Sequence, residues 1–192
     1  MCAIFQLEKV DIQEIRDICE DVTQKCGTET ADACFDGEIY PQKPAVVVGG
    51  EHKVALMRWG FSLNGSNKVV FNARSEELMQ KHMFRPVLHN RCAVPATAFY
   101  EFGSDHKKRR IRMPGVPFFY LAALWRLEKK ADGSKQFRFT VLTTQPNGQI
   151  AAFHNRMPVI LTPDAVPVWL DIAADTHALF SPKEEPMKID AV

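Results

Sequence analysis

RIRMPGVPFFYLAALWRLEKKADGSKQFRFTVLTT, residues 110–144, reads as a β meander. Aromatic and β-branched residues fill the runs on either side of Asp132-Gly133, a dipeptide suited to the positive φ angles of a tight hairpin. Working outward, the pattern repeats. PAVVVGGEHKVALMRWG (44–60) reads as two strands around Gly49-Gly50, and MCAIFQL (1–7) as a short strand. RCAVPATAFYEF (91–102) gives two strand segments broken near Pro95, RMPVIL (156–161) another strand and MKIDAV (187–192) a last one. Helical signals are fewer. VDIQEIRDICEDVTQKCG (10–27) carries Ile12, Ile15, Ile18 or Cys19, and Val22 at helical spacing, with Gly27 where a helix stops. VVFNARSEELMQK (69–81) reads as a strand end feeding a helix capped by Ser75. GQIAAFHN, TPDAVPVWLD and THALFSP read as brief helices. The expected fold class is α+β: one domain over residues 1–192, built on a β-barrel-like, strongly bent, mostly antiparallel sheet with a few short helices.

The bulk properties narrow the function classes. A chain of 192 residues suits one domain with a full core. Hydrophobic residues at 46% and charged residues at 24% are ordinary globular values. A formal charge of +1 supplies no whole-molecule field for nucleic acid or lipid, so any polyanion site is a local patch. No apolar run approaches the roughly 18–20 residues that span a bilayer, and the N-terminus lacks a signal-peptide pattern. A cytoplasmic location and no membrane partner are expected. The cysteines are Cys2, Cys19, Cys26, Cys34 and Cys92, an odd number without a CxxC pair or zinc-finger spacing, so neither a disulfide framework nor a metal site is expected.

Four polar residues stand out by their neighbours. Glu101 lies among Phe99, Tyr100 and Phe102, where a desolvated carboxylate would have a raised pKa suited to proton transfer; an exposed strand Glu is the alternative. His154 precedes a strong strand and reads equally as a structural histidine. Asn72 stands at a strand-to-helix junction, where Asn often caps or turns. Arg74 reads alone as a surface arginine. The run HKKRRIR, with Lys107, Lys108, Arg109, Arg110 and Arg112, is either a phosphate-tracking surface or the solvated tip of a hairpin.

Taken together, MC at 1–2, MRWG at 57–60, NARSE at 72–76, RCAVPATAFYEF at 91–102 and HNRMPVIL at 154–161 resemble the SOS-response-associated peptidase (SRAP) family. The resemblance runs in order from residue 2 to about residue 171. It implies a β-rich single domain that captures abasic sites in single-stranded DNA covalently through Cys2, once Met1 has been removed. It also implies that Asn72, Glu101 and His154 complete the catalytic set, and that Arg74 and Arg156 hold DNA phosphates. No cofactor is implied, a monomer suffices, and the nucleoid is the expected place of action when DNA is bound.

The chemistry suits those residue types. A terminal Cys2 carries an α-amine, with an unperturbed pKa of roughly 7.7–8.0, beside a thiol near 8.5. The amine can condense with the ring-opened sugar aldehyde, and the thiol can close on the imine to give a thiazolidine. The sequence departs from the family where MCGR is common: Ala3 and Ile4 follow Cys2 here. FSLNGSNKVV (61–70) lacks the tryptophans often found there, and HNRMP stands for the commoner HDRMP. Two other readings fit an N-terminal cysteine: a glutaminase-like amidohydrolase using it as nucleophile, and a non-catalytic β-rich nucleic-acid-binding module.

Overall fold

Trp59 and Phe139 stack in the middle of the molecule, ring centroids 6.2 Å apart and nearly parallel, inside a barrel of strands. The computed structural model describes residues 2–63, 66–130 and 132–192. Lys135–Thr144 pairs antiparallel with Phe119–Lys129 and parallel with Val54–Trp59. Val54–Trp59 pairs with Pro44–Val48, which meets Arg91–Ala96, and that strand returns to Phe119–Lys129. The five strands close into a barrel. Closure leaves no long open edge among them, and the large side chains turned inward fill the core. Asn72–Arg74, Met157–Pro158 and Ile160–Leu161 are appended to it.

A second, antiparallel sheet has the order Lys188–Ala191, Lys108–Arg112, Ala98–Phe102, Ile4–Glu8 and Asp36–Ile39. The chain passes from barrel to second sheet at Thr97, whose backbone N–H and hydroxyl both reach the Gln6 carbonyl, at 2.7 and 3.2 Å. The break therefore falls at Thr97 and not at Pro95. Proline lacks an N–H, yet Pro95 lies inside a strand opposite Tyr120, where the facing strand on its other side pairs only at Ala93.

The helix Gln13–Cys26 buries Ile15, Ile18 and Val22, and Gly27 ends it at φ 84°, as the spacing predicts. The helix expected after NARSE does not form. Ser75–Glu77 makes one 3-10 turn, and the Ser75 hydroxyl bonds the Glu76 carboxylate instead of capping. One turn of good helix formers cannot repay nucleation, and a tertiary ion pair with Arg156 holds Glu76 while Glu77 pairs locally with Arg74. The basic run is only in part a hairpin tip, where His106 and Lys107 lie. Residues 103–107 make the turn, and Lys108–Arg112 is a strand inside the second sheet.

Gly60, between Val54–Trp59 and the short strand Phe61–Ser62, is closely packed. Its φ is 103°, and a Cβ there would lie 2.7 Å from Val69 Cγ2. Gly60→Ala is expected to destabilise the fold by about 2 kcal/mol or more, measured by urea unfolding, because it adds backbone strain to overlap.

Candidate functional site

Three residues after Cys2, Phe5 packs on Trp59 with ring centroids 5.0 Å apart, which pins the strand Ile4–Glu8. That strand pairs with Ala98–Phe102 in the register Ile4↔Tyr100. The pairing carries Cys2 into the neighbourhood of Glu101. Cys2 is fully buried, and its thiol donates to the Ile4 carbonyl at 3.6 Å. Burial, and then the Glu101 carboxylate, push the thiol well above its ordinary pKa. Met1 and the removal of its residue lie outside the described residues.

Asn72 reaches the same place from the barrel. Its strand runs parallel to Lys135–Thr144, with Asn72 opposite Val141. The Asn72 amide Nδ2 donates to the Cys2 carbonyl at 2.8 Å. Its Oδ1 is buried and without a hydrogen-bond partner among the described residues. An orphaned acceptor beside an N-terminal residue is suited to receive an N–H from a free amine.

Glu101 and His154 complete the group. Glu101 is 2% exposed, and burial raises its carboxyl to about 7. His154 Nε2 lies 3.4 Å from Glu101 Oε2. The short helix Gly148–Ala151 places this histidine: Asn147 caps it by accepting from the Ile150 N–H at 2.9 Å, and the His154 N–H bonds the Ile150 carbonyl at 2.8 Å. His154 Nδ1 lies 2.7 Å from the Arg156 carbonyl, which can only accept, and 3.3 Å from the Arg156 N–H; the shorter contact favours the ring proton on Nδ1. Nε2 then offers its lone pair to Glu101. Burial lowers the His154 pKa, so neutral imidazole faces a carboxyl that holds its proton up to near neutral pH.

The two arginines differ. Arg74 is half-exposed and pairs with Glu77 at 2.9 Å. Arg156 is 5% exposed; Nη1 and Nη2 grip the two Glu76 oxygens, and Nη2 also donates to the Thr143 carbonyl at 2.8 Å. Glu76 was not among the sequence candidates. Its signal was present, as the last residue of NARSE, but nothing local ties it to residue 156. The structure thus brings Cys2, Asn72, Glu101 and His154 together, and both arginines meet Thr143: Arg74 lies opposite it in the neighbouring strand, and Arg156 donates to its carbonyl. Within the basic run, Lys108 pairs with Glu38, Arg109 with Asp105, Arg110 with Glu8 and Arg112 with Asp190. Those four charges are largely neutralised where they stand.

The chain matches the SOS response associated peptidase (SRAP) family over residues 1–192 and belongs to it. It is 33% identical over 133 residues to the abasic site processing protein YoqW of Bacillus subtilis, a match spanning 64% of this chain and 59% of that protein. It is 27% identical over 166 residues to the abasic site processing protein HMCES of Gallus gallus, covering 69% of this chain and 48% of the relative. The chain thus aligns with less than two thirds of these relatives' lengths. In fold, it resembles crystal structures of a protein from Bacteroides thetaiotaomicron (TM-score 0.81, 20% identity, 100% of this chain and 92% of the other) and one from Bordetella bronchiseptica (TM-score 0.77, 23% identity, 100% and 99%). Among the described residues, no helix is long and apolar enough to cross a membrane.

Two stability measurements test the site's electrostatics. Glu101 binds its proton more tightly folded than unfolded, so stability is greatest at low pH on this account and is lost as pH rises from 4.5 to about 7. Glu101→Gln is expected to remove that loss and to be more stable than wild type at pH 8, by on the order of 3 kcal/mol at most; equal stability at pH 8 would refute the assignment. Glu76→Ala is expected to cost about 1–3 kcal/mol in urea unfolding, because it strips a buried guanidinium of its carboxylate and leaves it only Thr143 as acceptor. Arg74→Ala breaks an exposed pair and should change stability by less than about 1 kcal/mol.

Proposed function

We propose that this protein captures abasic sites in single-stranded DNA covalently, through a thiazolidine formed by Cys2 after Met1 is removed. The observation that carries the reading is the convergence of Asn72, Glu101 and His154 on residue 2, from the barrel, the second sheet and the 148–157 connection. Family membership and relatives named as abasic site processing proteins support it.

The burial of the thiol sets the order of events. A thiol held protonated is a poor first nucleophile, whereas a terminal α-amine is partly neutral near pH 7. The amine therefore attacks the ring-opened sugar aldehyde, and water leaves as the imine forms. Asn72 holds the Cys2 carbonyl and offers Oδ1 to the amine, fixing the nucleophile without adding charge. The Cys2 sulfur then bonds the imine carbon. The thiol proton passes to Glu101, and nitrogen takes up a proton as the five-membered ring closes. Closure is intramolecular, so proximity favours it strongly. Glu101 at about 7 can give or take a proton at each step, in either direction. His154 Nε2 shares that proton with Glu101 and stabilises the ring-opened sugar oxygen.

Arg74 supplies a phosphate contact from the surface. Arg156 can add a second by exchanging one Glu76 oxygen for a phosphate oxygen. The peptidase chemistry consistent with the family name is removal of Met1, which frees the Cys2 amine. The partner on this reading is abasic single-stranded DNA, met in the cytoplasm or nucleoid by a monomer.

A single-stranded oligonucleotide with one abasic site is expected to give a denaturant-resistant protein–DNA band with the processed protein. Cys2→Ala should abolish the band, and an undiminished yield would overturn the mechanism. Glu101→Gln should slow band formation at pH 7 by about 100-fold or more, followed by quenched time points on denaturing gels.

A further inference from the structure

Beside His154 opens a cleft of about 700 Å³, a size in the ordinary range for small-ligand sites. Its walls include Phe102, Gly103, Ser104, Phe153, His154 and Asn155. Phe102 is 48% exposed, unusual for a large aromatic residue directly after a buried carboxylate. Phe153 is half-buried, and the Arg109 guanidinium lies 4.7 Å from its ring centroid. Arg109 is itself fixed by Asp105 in a two-pronged pair at 2.8 and 2.7 Å. A Cβ on Gly103 would come within 2.4 Å of Arg109 Nη1 and 2.5 Å of Asp105 Oδ1, so glycine leaves room for this brace.

The lining selects the occupant by chemistry. Among the described residues that form it, there is no Lys, Arg, Asp or Glu. The nearest cation, Arg109 against Phe153, is already held by Asp105, so a phosphate would find no unpaired counter-charge in the lining. Two aromatic rings, with neutral hydrogen-bonding groups on Ser104, Gln145 and Asn155, suit a flat, neutral group with polar edges. The cleft is also continuous with His154, which faces Glu101 and hence the lesion on the reading above.

We propose that this cleft is a nucleobase subsite, in which the base flanking the abasic sugar stacks on Phe102 and Phe153. The proposal rests on the abasic-site reading and adds a contact to it. Base–aromatic stacking tolerates any sequence, since every base presents a π-face. It gives this chain a stacking surface of its own, although its 61–70 segment has no tryptophan.

A thermodynamic cycle tests it. Fluorescence anisotropy would measure binding of wild type to single-stranded oligonucleotides carrying one tetrahydrofuran, an abasic analogue without an aldehyde. Further oligonucleotides carry a second tetrahydrofuran in place of the 5′ or the 3′ neighbouring base. Loss of the base on one side is expected to weaken wild-type binding by about tenfold. In Phe102→Ala and Phe153→Leu the same loss should matter less than about twofold, because the ring it stacked on is gone. Equal penalties in wild type and Phe102→Ala, or no penalty in wild type on either side, would overturn the subsite. Phe102 is exposed enough for its truncation to leave the core intact, and a thermal melt checks Phe153→Leu. Crosslinking of a natural abasic oligonucleotide, run in parallel, separates the two ideas. A missing band defeats the capture reading, whereas a normal band without coupling in the cycle defeats only the subsite.

Discussion

One backbone carbonyl organises the site. Phe71 C=O accepts from the Trp59 indole N–H at 2.8 Å and from the Val141 backbone N–H at 3.0 Å. The first bond ties residue 71 to the barrel's central side chain, and the second seats Asn72–Arg74 in parallel against Lys135–Thr144. Trp59 also packs Phe5, so the same indole positions the strand that follows Cys2. The Asn72-to-Cys2 hydrogen bond spans 70 residues of sequence, yet each partner lies within three residues of a Trp59 contact. A buried indole with its donor satisfied is a rigid reference point. Without it, two short and separately weak strands would have little reason to meet in one register.

The second constraint is dryness. Cys2 and Glu101 are buried beside each other, and desolvation shifts each toward its neutral form. His154 is moved the same way, toward neutral imidazole. The group is therefore a store of protons rather than a store of charge. Such a site suits a sequence of additions and eliminations on a carbonyl carbon, in which protons must move at every step but no ion should persist.

Much of the fold was legible in the sequence because its elements are locally determined. The helix 13–26 follows from Ile15, Ile18 and Val22 with Gly27, and the long hairpin from Asp132-Gly133 between two β-rich runs. A barrel-like sheet was expected from the many short strands, but the strand pair that closes it was not legible, since the Arg138↔Arg58 pairing is parallel and distant, as is the Val141↔Asn72 pairing that appends Asn72–Arg74. The segment after Arg74 misled for a related reason. Its residues favour a helix, but Glu76 is claimed by Arg156, 80 residues away. Of the site, the residue types could be nominated from motifs. Their proximity, the orphaned Asn72 oxygen and the Nδ1 proton of His154 are properties of three-dimensional packing alone.

The pairing of Glu76 with Arg156 divides the labour between the two arginines. Arg156 is nearly inaccessible, and its backbone carbonyl sets the tautomer of His154. Pulling its guanidinium fully toward a phosphate would disturb the loop that carries the histidine. Arg74 has no such duty: it is exposed and holds only Glu77, an interaction that solvent and salt already weaken. On the proposed reading, a DNA backbone approaching Thr143 would meet Arg74 as an exposed charge held only by Glu77, and Arg156 as a buried one gripped by Glu76. The Arg156 backbone carbonyl keeps the imidazole aimed at Glu101, so that duty does not depend on which acceptor the guanidinium holds.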